Sequence, residues 1–201
     1  MAKSRKNLYI IGGIAGFVLL LVLIFFGSYN SLITLSESVD AGWAQVENQY
    51  QRRADLIPNL ISTVQGAADF ESETQEQITA LRTQAVAARD SWNSATTPAD
   101  QIVAARQVDS VASAFRGLNI NVENYPQLKA TQNFETFQAQ LEGTENRVAT
   151  ERKRYNDAVR AYNIKIKRIP TVFIANMFGF TSETYFDIEE GTEQVPVVEF
   201  E

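Results

Sequence analysis

The sequence predicts an all-α protein: a single N-terminal transmembrane helix, a bundle of long antiparallel helices, and an irregular or extended acidic C-terminal tail. Three observations predict it. Residues 8–26 read LYIIGGIAGFVLLLVLIFF, without one charged side chain. Apolar residues then recur at alternating three- and four-residue steps over most of the chain. After Arg168 there is no Lys or Arg, whereas Glu183, Asp187, Glu189, Glu190, Glu193, Glu199 and Glu201 are acidic. The expected division is a basic N-terminus at 1–7, the span at 8–27, the bundle at 28–168, and an apolar segment with the acidic tail at 169–201.

About 20 apolar residues carry an α-helix across a hydrocarbon core of about 30 Å. The run from Leu8 through Gly12, Gly16 and Leu20 to Phe26 has that length. A secretory signal has a shorter apolar region and an A-x-A-like cleavage site, and FFGSYN after it is a poor one, so an uncleaved anchor is expected. Lys3, Arg5 and Lys6 precede the run, and no basic residue follows it until Arg52. The positive-inside bias then holds the N-terminus in the cytoplasm and the bulk of the chain outside. Gly12-x-x-x-Gly16 permits close helix approach, but such pairs are common by chance in apolar segments.

The 201 residues contain neither cysteine nor histidine and carry a net charge of −6. Ser-His and Cys-His nucleophiles, ordinary zinc sites and Glu-x-x-His di-iron sites all need residues this chain lacks. No cofactor, metal or catalytic residue is expected, and an acidic ectodomain has no general attraction for nucleic acid. A hydrolase working with carboxylates alone is a remote alternative, because it needs two acids across a cleft.

Past the anchor, Val39, Trp43, Val46, Tyr50, Ile57, Leu60, Val64 and Ala67 form one stripe, with a step missing at Arg53. It resumes at Thr74, Ile78, Leu81, Ala85 and Trp92. Heptad spacing puts such a seam along one side of a helix. A single helix from Tyr29 to Trp92 would run about 95 Å, so a bend or break is expected. Pro58, which lacks an amide and crowds the preceding turn, and the polar run Asp69-Phe70-Glu71-Ser72-Glu73 are the two candidates. Thr97-Pro98-Ala99-Asp100 reads as N-cap, N1 proline and capping box. It opens a helix carrying Ile102, Val108, Val111, Phe115 and Leu118 that ends at Gly117-Leu118-Asn119. A last start at Asn124-Tyr125-Pro126 leads Ala130, Phe134, Phe137, Leu141, Val148, Tyr155, Val159, Tyr162, Ile166 and Ile169 almost to Pro170. Gly143 costs that helix about 1 kcal/mol relative to alanine.

This last helix, about 65 Å from Pro126 to Arg168, matches the stretch from Tyr29 to Ala68. Antiparallel pairing would return Arg168 to the membrane surface. Two readings of the next segment, IPTVFIANMFGF, stay open. In one, Lys165, Lys167 and Arg168, with Arg160, face lipid headgroups while Phe173, Ile174, Met177 and Phe178 lie in the interface. In the other, the aromatics close the end of the bundle and the basic residues are a solvated face.

Arg52, Arg53, Asp55, Asn59, Glu145 and Arg147 form a candidate polar cluster fixing helix register. Arg53 occupies a seam position, so its guanidinium needs a carboxylate from Asp55, Glu145 or Glu151. Tyr-Asn recurs at Tyr29-Asn30, Tyr155-Asn156 and Tyr162-Asn163, the last two seven apart, and reads as tyrosine hydroxyls held by asparagine amides. Val195, Val197 and Phe200 form either part of a disordered tail or an arm that docks by strand addition.

Several of these stretches carry a resemblance. YNSL after the span, VDAGWAQVENQYQRRADLIPNLISTVQGAADFE, ENYPQLKA, TENRVATERKRYNDAVRAYN and a final GF…YF together resemble the LemA family from the anchor to about Phe186. The resemblance implies a bacterial membrane-anchored helical bundle, hence the inner membrane, and some relatives organise intracellular membranes. The function expected is a membrane-anchored, non-enzymatic, self-associating scaffold whose partners are membrane lipid, further copies of itself and other envelope membrane proteins. The alternative is an ectodomain that senses for or regulates a partner membrane protein.

Overall fold

The computed structural model describes residues 2–67, 72–117 and 132–186. Five helices lie in them: α1 Ala2–Ala67, α2 Ser72–Ser94, α3 Pro98–Gly117, α4 Gln132–Lys167 and α5 Thr171–Phe178. No strand occurs among the described residues.

At 66 residues, α1 is about 100 Å long and contacts every other helix. It stays helical through Pro58 and ends at Ala67, and α2 begins at Ser72, so the chain does not break at the proline. The energetics explain this. An interior proline costs about 3 kcal/mol, but Leu56, Ile57, Leu60, Ile61 and Val64 around it are all buried. Each such burial is worth about 1.5–3 kcal/mol, and together they outweigh the defect. The Asn59 side-chain amide also donates to the Asp55 carbonyl at 2.9 Å, one turn back.

Cross-links between helices give their directions. Arg82 donates to Gln65 at 3.0 Å and the Trp92 indole to Gln51 at 2.9 Å, so α2 runs antiparallel to α1. The Trp43 indole donates to Gln101 at 2.8 Å and Tyr50 to Asp109 at 2.8 Å, so α3 runs parallel to α1. The Thr97 hydroxyl accepts the Asp100 amide at 3.2 Å and donates to the Asp100 carboxylate at 2.7 Å, the N-cap expected for α3. α4 returns antiparallel along α1. They approach closely at Gly42, where an added Cβ would lie 3.3 Å from the Tyr155 Cα. Leu141, Val148, Tyr155, Val159, Tyr162 and Ile166 form the buried stripe of α4. The start expected at Asn124–Pro126, Leu118, Ala130 and the Phe134 side chain lie outside the described residues.

α4 closes with the Arg168 amide on the Lys165 carbonyl at 3.2 Å, and Pro170 opens α5. Gly179, with φ 75°, ends α5 in the left-handed region that side chains disfavour. The Phe180 amide folds back onto the Ala175 carbonyl at 2.9 Å, and residues 180–186 then run up α4 in extended form.

Candidate functional site

Two places concentrate side chains that a bundle alone does not require. The first is the middle of the bundle, around Asp109 of α3. Its Oδ1 accepts Arg53 Nη1 at 2.7 Å, and its Oδ2 accepts the Tyr50 hydroxyl at 2.8 Å and a nitrogen of Arg152. Arg53 is buried, at 4 % exposure, so this carboxylate neutralises a charge that would otherwise be costly. Arg53 therefore takes none of the three partners expected. Asp55 accepts Gln51 instead, Glu145 pairs with Arg116, and Glu151 pairs with Arg154. The reason is tertiary: α3 lies on the side of α1 that carries Arg53.

The Arg152 guanidinium also stacks 4.4 Å over the Phe186 ring and 5.1 Å over Tyr50. Phe186 is 1 % exposed, parallel to Tyr50 at 5.8 Å, while Tyr50 stacks on Trp92 at 5.2 Å. Trp43 stands edge-on to Tyr155 at 5.1 Å. The extended segment thus delivers a core aromatic from the far end of the chain.

Two asparagines hold that segment. Asn163 donates to the Glu183 carbonyl at 2.8 Å and accepts its amide at 2.9 Å. Asn156 does the same to Phe186, at 3.0 and 2.9 Å. The Tyr155 hydroxyl donates to the Thr184 carbonyl at 2.8 Å. The amides of the second and third Tyr-Asn pairs therefore grip backbone rather than tyrosine hydroxyls. The spacings agree: seven helical residues rise about 10.5 Å, and three extended residues span about 10 Å. Burial, aided by Glu183 and Asp40 nearby, pushes the Tyr155 phenol up to about 12. The same causes raise Tyr162. At the rim, the hydrogen bond from Arg116 holds the Glu145 carboxyl below its usual range and raises the Arg116 guanidinium.

The candidate polar cluster is thereby divided. Arg53 belongs to the Asp109 centre, Asp55 and Asn59 sit on the outer face of α1, and Glu145 bridges to α3. Arg52 and Arg147 line a separate cleft of about 420 Å³ between α1 and α4, with Gln140, Gly143 and Thr144. Sequence pattern points to Asn156 and Asn163 but to the wrong partners, and it does not point to Asp109, Arg152 or Phe186. One signal for Asp109 existed, since it is the sole acidic residue between Gln101 and Gly117.

The second place is the anchor-proximal end. The Phe178 ring lies 4.8 Å from Tyr29 and 6.0 Å from Phe25, and Phe180 lies 6.1 Å from Tyr29. The end of α4 and all of α5 are therefore level with the foot of the apolar run. Ile174 is buried, whereas Ile169, Phe173 and Met177 are 81 %, 65 % and 70 % exposed. Lys167 and Arg168 are exposed beside them and Lys165 is half-buried. Below this level α1 has no neighbouring element among the described residues. Leu20 and Phe26 are exposed, nothing approaches Gly12 or Gly16, and the Leu8 side chain lies outside the described residues. α1 is long and apolar enough to cross a membrane. Val195, Val197 and Phe200 also lie outside the described residues.

Among the described residues no three His, Cys, Asp or Glu side chains are grouped to hold a metal. The charged groups of the Asp109 centre are engaged in mutual pairs, an arrangement that fixes helices rather than one that presents a reactive group.

The chain is 25% identical over 187 residues to magnetosome protein MamQ 2 of Paramagnetospirillum magneticum, covering 85% of this chain and 68% of that one. To magnetosome protein MamQ of Magnetospirillum gryphiswaldense it is 22% identical over the same length and shares. To protein LemA of Metamycoplasma hominis it is 23% identical over 167 residues, covering 83% of this chain and 72% of that one. The LemA family model matches residues 42–200, so the match begins within α1 at Gly42 and extends past Phe186 into the acidic tail. With about four-fifths of its length matched, most of the bundle and the extended segment 180–186 included, the chain belongs to the LemA family.

Proposed function

We propose that this protein is a membrane-tethered, non-enzymatic scaffold that self-associates at the bacterial inner membrane and organises membrane or envelope components. The observation that carries this reading is α1 itself, one unbroken 66-residue helix that serves as both anchor and central bundle helix. An anchor joined this way gives the bundle a fixed bearing on the bilayer, which suits lateral assembly and not a freely tumbling catalyst. Relatives named as magnetosome proteins bear the name of a component rather than of an activity, which supports the same reading.

The surface we assign to this association is a groove between α2 and α3. Ala87 and Val103, flanked by Gln84, Arg106 and Gln107 and floored by the buried Ala88 and Val111, line this shallow groove of about 570 Å³, and Val103 is 55 % exposed. The expected result is that the full-length protein in mild detergent has the mass of a discrete oligomer, and that Val103→Glu shifts it toward monomer without loss of helicity. A strict monomer at all concentrations would overturn the scaffold reading and favour lateral regulation of a partner membrane protein.

A further inference from the structure

We propose that α5 is a second membrane contact, an interfacial foot that lies on the headgroup layer of the outer leaflet and favours anionic lipid. It rests on the anchor reading of α1 and adds a site to it.

The helix has two unlike faces. Thr171, Ile174 and Ala175 are buried on the bundle side, and Phe178 packs on Phe25 and Tyr29. Phe173 and Met177, one turn apart, share the other side and are largely exposed, and Ile169, in the turn before the helix, is 81 % exposed. Of the four residues expected in the interface, Ile174 is buried and Phe178 packs on α1, which leaves Phe173 and Met177 facing outward. In water, three large apolar side chains on so short a segment would form an unusual patch. Its occupant is indicated by position. Through Phe178 the foot is continuous with Phe25, inside the apolar run of the anchor. Lys167 and Arg168, with Lys165 behind them, supply the basic rim that an interfacial helix uses against negatively charged headgroups. The rest of the chain is acidic, so this rim opposes the general repulsion of the ectodomain from such a surface.

The absence of cysteine makes single-cysteine variants uniquely addressable. Nitroxide labels are placed at Phe173→Cys, Met177→Cys, Leu20→Cys and Glu76→Cys in the full chain, reconstituted in phosphatidylcholine vesicles with and without phosphatidylglycerol. Collisions with oxygen report lipid, and collisions with a water-soluble nickel chelate report solvent. The expected result is oxygen-dominated relaxation at 20, 173 and 177, nickel-dominated relaxation at 76, and deeper labels at 173 and 177 when phosphatidylglycerol is present. Lys167→Glu with Arg168→Glu removes the dependence on phosphatidylglycerol. Each basic group near such a surface is worth roughly a fivefold change in local affinity. Nickel-dominated relaxation at 173 and 177 with Leu20 still in lipid overturns the foot and leaves the anchor standing. If Leu20 too is aqueous, the anchor reading itself fails. Labels at 173 and 177 shielded from both relaxants would mean that protein covers the face, which also overturns the lipid assignment.

Discussion

The side-chain amide of Asn156 meets the backbone of Phe186 through both of its polar atoms: Nδ2 donates to the carbonyl at 3.0 Å and Oδ1 accepts the amide at 2.9 Å. A helix side chain here takes the place of a neighbouring β-strand. Asn163 repeats the contact two turns on, at Glu183. The extended segment is thereby fixed along α4 with Phe186 inserted between Tyr50, Trp43 and Arg152.

Replacing Asn156 by alanine leaves both backbone groups of a buried residue without partners, each worth about 1–3 kcal/mol. Asn156→Asp is the sharper variant, because a carboxylate accepts the Phe186 amide but cannot donate to its carbonyl. Both variants are expected to lower the unfolding free energy in urea. Phe186→Ala should cost about 3–5 kcal/mol. An unchanged midpoint in the asparagine variants would show the strap to be energetically idle.

Asp109 balances Arg53 and Arg152 at once. Asp109→Ala strands a buried guanidinium and is expected to destabilise by about 3–5 kcal/mol. Replacing Arg53 by methionine in the same molecule removes the stranded charge and should recover a large part of that loss. A double-mutant cycle on thermal unfolding measures the recovery.

Tyr155 gives a pH signature. Its folded-state pKa lies near 12 against an ordinary value of 10.0, so the folded protein keeps its proton where the unfolded chain has lost it. That contribution is fully present below pH 10 and is lost as pH rises toward 12. At neutral pH, Tyr155→Phe is expected to cost about 1 kcal/mol, the worth of its bond to Thr184. Between pH 10 and 12 the gap should shrink and then reverse, by about 3 kcal/mol in all. Measuring both proteins across that range cancels the titration of the lysines.

Gly42 and Gly143 should respond in opposite directions. A Cβ at Gly42 meets the Tyr155 backbone at 3.3 Å, whereas one at Gly143 meets nothing within 4 Å. Gly42→Val is expected to push α1 from α4 and destabilise by about 1–3 kcal/mol. Gly143→Ala should stabilise by up to about 1 kcal/mol, read as a higher melting temperature.

Much of this architecture is local in origin and was legible without a structure. The apolar N-terminal part of α1 follows from 19 uncharged residues in a row, the helices from apolar steps of three and four, and the start of α3 from Thr97-Pro98. The antiparallel return of α4 follows from matched lengths. Each depends on neighbours within a few turns along one chain segment. Tertiary structure decided the contacts between segments far apart in sequence. Heptad spacing shows that Arg53 faces a seam, but three acids were open to it, and only the placement of α3 beside α1 selects Asp109. Whether α1 survives Pro58 depended on the sum of buried contacts against a local defect. The tail sequence TSETYF carries no period, because its order comes from asparagines on another element and not from its own backbone. Side-chain pattern encodes which face is buried; which partner fills that face is set by packing in three dimensions.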